Sequence, residues 1–144
     1  AHERYVTAAD IVDLQGFDFV FICVDKGSIR KPIIEALQAG DTPFIDVGMG
    51  IERVEETGEL LGICRITSST STAKNHVARR VCLSDVEADD AYARNIQIAD
   101  LNALNAAMAV IKWKKLCGFY QDLEREHHST YSINVNQLTS DEPA

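Results

Sequence analysis

The chain has 144 residues with 14 Lys+Arg against 22 Asp+Glu, a formal net charge of −8, and is 46% hydrophobic and 25% charged. That length suits one domain able to bury roughly 68–70% of its unfolded surface, and the composition excludes a disordered chain or a coiled coil. The acidic balance argues against a nucleic-acid backbone binder, and no apolar run approaches the roughly 18 residues of a membrane span.

The chain opens on Ala1 rather than Met with no signal-peptide pattern, so it reads as a piece of something longer. Residues 7–14 are the first helix candidate, where Thr7-x-x-Asp10 resembles a capping box with Asp in place of Glu and Gly16 stops the run. Residues 17–24 (FDFVFICV) are apolar on both faces from Phe19 onward, as in a central strand covered on both sides. Asp25-Lys26-Gly27 breaks that run. Ser28 can cap a helix reaching Ala39, with Pro32 tolerated only near its first turn and Gly40 ending it. Residues 43–47 (PFIDV) read as a second short buried strand, followed by a turn at Gly48-Met49-Gly50. Strand, helix and strand within about 30 residues predict a parallel pair with a right-handed crossover.

The pattern then changes. Residues 51–55 and 59–67 flank Glu56-Thr57-Gly58, a hairpin with Gly at the turn. Residues 68–72 are polar and residues 85–90 (DVEADD) acidic, both read as loops. The strongest helix signal covers 96–116, with Ile98, Leu101, Leu104, Met108 and Ile111 at threes and fours. Five alanines between Ala99 and Ala109 suit close packing on a sheet, and Gly118 closes the helix. Residues 128–139 read as one last strand, on the alternation of Tyr131, Ile133 and Val135. There is no internal repeat. The expected fold is α/β, part parallel and part antiparallel, in a single domain over 1–144.

Asp25 stands at the carboxyl end of a buried strand and just before a helix, where open α/β sheets bind ligands. A carboxylate there can hold Mg²⁺ against phosphates, while a turn aspartate capping the next helix is the plainer reading. Arg30 and Lys31 are cations in that helix's first turn, opposing its dipole, so an anion or Asp25 itself should compensate. Gly48-Met49-Gly50 has G-x-G spacing without the third glycine or a following helix, a weak dinucleotide signal. Asn102 and Asn105 interrupt the apolar helix stripe and need hydrogen-bond partners if buried.

Cys23, Cys64, Cys82 and Cys117 lie 41, 18 and 35 residues apart, so no C-x-x-C pair marks a zinc or thioredoxin-like site. Cys23 falls inside an apolar strand and Cys117 at a helix end, and a reducing cytoplasm with free thiols is expected. A structural thiol is the plainer reading of Cys64 and Cys82, since no local motif marks either; the alternative is a nucleophile, with Arg65, Arg79 and Arg80 available to lower a thiol pKa. His127 and His128 are adjacent in an expected strand and point to opposite faces, which hinders joint chelation, and His76 stands alone.

FDFVFICVDKGSIRKPIIEAL, TPFIDVGMGIE and the late helix NIQIADLNALNAAMAVIKWKKL resemble the second half of the ThiF/MoeB superfamily, the ubiquitin-activating-type adenylyltransferases. The resemblance covers about residues 17–139 and is closest to bacterial ThiF-type proteins of ubiquitin-like conjugation systems. Its most specific element, Asp25-x-x-x-x-Arg30 after an apolar strand, is similar to the family's D-N-x-x-x-R, with Lys26 in place of Asn. The resemblance implies a Rossmann-like three-layer fold, with a parallel βαβ unit, then antiparallel strands and a long buried helix. It implies Asp25 as the contact to Mg²⁺ and ATP, Arg30 in a supporting role, and Cys82, near the segment crossing the active site, as the thioester candidate.

The same resemblance implies a carboxyl-terminal half whose nucleotide-binding half is absent, together with the zinc C-x-x-C pairs of many members. The expected activity is ATP-dependent adenylation of the C-terminal glycine of a ubiquitin-like β-grasp partner, by a cytoplasmic homodimer, with the isolated piece inactive. The alternative is a non-catalytic dimerisation or partner-docking domain of the same fold.

Overall fold

A computed structural model gives the fold for residues 3–4, 6–7, 10–14, 16–85 and 98–141. The elements are α1 (Ile11–Leu14), β1 (Val20–Ile22), α2 (Gly27–Ala39), β2 (Phe44–Arg53), β3 (Leu60–Ser69), α3 (Val77–Arg80), α4 (Ala99–Leu116), β4 (His128–Ser132) and β5 (Gln137–Ser140). Residues 8–9 of the expected first helix, 86–90 of the acidic loop and 96–97 of the long helix lie outside the described residues. Among those described, no helix is long and apolar enough to cross a membrane.

One sheet carries the strands in the order β1-β2-β3-β4-β5. β1 runs parallel to β2 and every other pair is antiparallel, the α/β mixture that the strand pattern predicts. The long ladder is the β2–β3 hairpin, in register from Phe44 opposite Ser69 to Arg53 opposite Leu60. It closes where expected, because Gly58 takes φ +76° and its N–H donates to the Val54 carbonyl at 2.8 Å. Gly48-Met49-Gly50 is not a turn. It lies inside β2, which fuses the two short strands expected on either side of it.

Neighbouring β2 residues face opposite sides of the sheet. Phe44 joins Ile22, Ile33, Ile34, Leu37, Val77 and Val81 in a core under α2 and α3, while Ile45 packs with Ile66 and Ala109 of α4. Three further expectations need correction. β1 is not a central strand: among the described residues it pairs with β2 alone and forms one edge of the sheet. The expected last strand is two strands, β4 and β5, joined by residues 133–136 with Asn136 at φ +50°, a conformation that asparagine tolerates.

The long helix is buried along one stripe only. Leu101, Asn105, Ala109 and Lys112 face inward, whereas Leu104 and Ile111 of the expected stripe are exposed, as are four of the five alanines. Two polar contacts rotate the helix to that face. Asn105 Nδ2 donates to the Gly48 carbonyl at 2.7 Å, on β2 beyond its pairing with β1. Lys112 Nζ reaches Asp122 at 3.0 Å and Glu126 at 3.5 Å in the returning segment. Sequence periodicity counts apolar side chains and is blind to both.

Leu37 is fully buried. Leu37→Ala should lower unfolding free energy by about 3 kcal/mol in urea titrations, against under about 1 kcal/mol for exposed Leu104→Ala.

Candidate functional site

Residues 23–26 leave the carboxyl end of β1 and lead into α2, and Asp25 is exposed in that bend. Neither Asp25 nor Ser28 caps the helix. Lys26 is the N-cap residue, extended at φ −88° and ψ 129°, and its side chain makes no capping bond. The cap comes from 57 residues away, where Asp85 Oδ1 accepts from the Ser28 N–H at 3.0 Å. Hydrogen bonds from the Ser28 hydroxyl and backbone hold the Asp85 carboxyl below the usual carboxylate range. Gly27 makes this approach possible: a Cβ there would stand 2.6–2.8 Å from the Ser84 backbone.

Arg30, one turn into α2, is buried, and its counter-charge is Asp46 rather than Asp25. Arg30 Nε lies 2.9 Å from Asp46 Oδ1, a charge contact off the hydrogen-bond axis. Its Nη1 donates to the Cys82 carbonyl at 3.2 Å and its Nη2 to the Val24 carbonyl. The second Asp46 oxygen accepts from Arg65 Nη2 at 2.7 Å. One carboxylate with no exposure thus sits between two guanidinium groups. The network continues across β3 and β4: Arg65 Nη1 donates to Thr67 Oγ1 at 2.9 Å, and Thr67 Oγ1 lies 2.9 Å from His128 Nδ1. Gly48 leaves room for it, since a Cβ there would lie 2.9 Å from Arg65 Cζ and Nε and closer still to Nη2.

The cysteines sort differently from their sequence contexts. Cys82 is exposed, and its thiol donates to the Ser84 carbonyl at 3.1 Å. Cys64 belongs to the interior, not to a reactive surface. It is fully buried, its thiol contacts the Leu101 carbonyl at 3.5 Å, and burial followed by the charge of Asp100 pushes its pKa up. Of the three arginines offered for it, Arg65 binds Asp46 and Arg80 binds Asp141 at 2.8 Å. Cys23 lies just past β1 and is exposed rather than inside a strand, and Cys117 is exposed at the end of α4.

His127 and His128 do face apart, His127 Nδ1 lying 3.0 Å from Ser68 Oγ and His128 Nδ1 beside Thr67. His76 is not isolated: it is buried, its Nε2 lies 2.9 Å from the Ser68 carbonyl, and its ring centroid is 5.4 Å from that of His127. Among the described residues no three His, Cys, Asp or Glu side chains assemble as metal ligands.

The site therefore gathers Asp25, Arg30 and Cys82 at the carboxyl end of β1, with Asp46, Arg65 and Asp85 holding them. The last three were missed from sequence. A signal existed for Asp46: an aspartate inside the apolar run PFIDV demands a partner, as does the arginine early in the helix, Arg30, that it pairs with.

Burial, with the charges of Lys112 and His76, lowers the His127 pKa, and burial likewise lowers that of His128. The unfolded chain then binds protons more tightly, so stability is complete above the ordinary value of 6.5 and falls as pH drops below it. Asp122 adds a second window. Burial alone would raise its pKa, but hydrogen bonds and charge from Lys112, then Arg125 and Lys115, bring it from 3.8 to about 2. Its contribution is present above 3.8 and is lost as pH falls toward about 2. Urea midpoints measured against pH should fall in these two steps, and the double variant His127→Asn/His128→Asn should flatten the first.

No protein-family model and no curated protein matches the chain.

Proposed function

We propose that this chain is the carboxyl-terminal half of an ATP-dependent adenylyltransferase of the ThiF/MoeB type, which activates the C-terminal glycine of a ubiquitin-like β-grasp protein. The observation that carries the reading is β1. It is built of residues suited to a covered strand, is paired on one side only among the described residues, and delivers Asp25 from its carboxyl end toward α2. In this reading the nucleotide-binding strands lie along the free edge of β1, completing a Rossmann-like three-layer fold and covering Phe21, now 41% exposed.

ATP and Mg²⁺ are the implied cofactors. Mg²⁺ is held by one or two carboxylates plus substrate phosphates, so the single exposed carboxylate of Asp25 fits it, whereas among the described residues no three His, Cys, Asp or Glu side chains gather as a zinc site would need. The metal when bound supplies charge neutralisation of the leaving pyrophosphate. Asp25 orients that charge from the end of β1, and Arg30 supports the loop from beneath. The partner's terminal carboxylate attacks the α-phosphate and forms the acyl adenylate. Cys82, exposed beside this loop, is the thiol that would then attack the acyl carbon and form a thioester, with AMP as the leaving group. The enzyme so read is cytoplasmic, with all four thiols reduced.

A second reading, as a non-catalytic dimerisation or partner-docking domain, is favoured by a different observation. Leu104 and Ile111 of α4 and Leu138 of β5 are exposed, and a cleft of about 140 Å³ between Met108, Ile111 and Leu138 opens beside them. A homodimer across this face is compatible with either reading, and a stable monomer by light scattering would count against the second by removing its dimerisation form.

The 144-residue chain alone should give no ATP–pyrophosphate exchange, and exchange by it would overturn the first reading. In the complete enzyme, Asp25→Ala should lower exchange by about 100-fold. Unchanged exchange would dismiss Asp25 as the metal contact.

A further inference from the structure

Three contacts stitch residues 82–85 to the start of α2: Arg30 to the Cys82 carbonyl, the Ser84 backbone against Gly27, and Asp85 to the Ser28 N–H. The first differs from the others. The same buried guanidinium also holds the Val24 carbonyl, next to Asp25, so one rigid group grips both segments at once. Its orientation is set by Asp46, which has no exposure and is itself held by Arg65.

From this geometry we infer that Asp46 is a positioning residue, acting through Arg30 to fix the Asp25 loop and the Cys82 segment relative to each other. Asp46 touches neither an exposed surface nor either of those side chains. It acts by keeping the guanidinium plane turned toward the two carbonyl oxygens. Loss of that orientation releases both segments together, while the two hydrophobic cores on either face of the sheet stay packed. The meaning of this coupling for adenylation rests on the reading above; the coupling itself needs no nucleotide and is tested without one.

Three of the four cysteines supply the assay. Cys82 reports on the proposed segment, fully buried Cys64 on general opening, and exposed Cys117 on reagent and conditions. Alkylation by iodoacetamide, followed peptide by peptide by mass spectrometry, is compared for the unaltered chain, Asp46→Asn and Arg30→Lys. Arg30→Lys keeps the charge beside Asp46 but cannot bridge two carbonyls in one plane. Hydrogen exchange at residues 23–26 is measured on the same samples.

In both variants Cys82 alkylation should rise about tenfold, as expected on loss of a buried charged hydrogen-bond set, and exchange at 23–26 should rise with it. Cys64 and Cys117 should keep their rates. The inference is overturned if Cys82 is unchanged, if only one of the two segments responds, or if Cys64 rises in parallel with Cys82. It is also overturned if both variants unfold, since the pair would then hold the whole fold rather than two segments. A positive result beside an enzyme that does not adenylate would retain the coupling and dismiss the function.

Discussion

A carboxylate buried between two guanidinium groups is the constraint around which this chain is arranged. A charge removed from water is tolerated only when it is paired and hydrogen-bonded, and Asp46 in the middle of β2 has no exposure at all. Its partners come from two other elements. Arg30 requires α2 to cross β2 at one place, and Arg65 requires the β2–β3 register that sets it opposite Gly48. That register in turn explains the glycine, because any larger residue at 48 would occupy the space of the Arg65 side chain. The remaining Arg30 donors then decide where two loops run.

The opposite face of the sheet follows a different rule. There Ile45, Ile66 and Ala109 make an apolar contact with α4, edged by the aromatic group of Phe19, Phe21 and Trp113. The far end of α4 is held by charge again. Lys112 and Lys115 face Asp122 and Glu126, so the segment returning to β4 is drawn back along the helix that precedes it. Polar networks thus fix the two places where the chain must turn back on itself, and apolar contacts fill the span between them.

Much of this order is written locally in the sequence. The strand, helix and strand at residues 20–53 and the hairpin turn at Gly58 rest on signals within a few residues of one another, and each is found close to its expected place. What failed was decided at a distance. Glycines that look like a turn at 48–50 are strand residues, and Gly48 makes room for an arginine seventeen positions on. The apolar stripe of the long helix is displaced by Asn105 and Lys112, whose partners lie in other elements. Asp25 and Arg30 were legible from their place after a strand. The role of Arg30 was not, because Asp46 reads as one polar letter in an apolar run, and Asp85 joins the helix across 57 residues.

The unequal ladders of the sheet also set an order of opening. β2 and β3 share ten residue pairs closed by a tight turn, while β1 shares three with β2. Cooperative units open in order of the contacts that secure them, so β1 frays before the hairpin beneath it. The strand that leads to Asp25 has the shortest ladder among the described strands. Any segment that pairs with its free edge adds a second ladder to it, and binding at that edge and ordering of the Asp25 loop become one thermodynamic event.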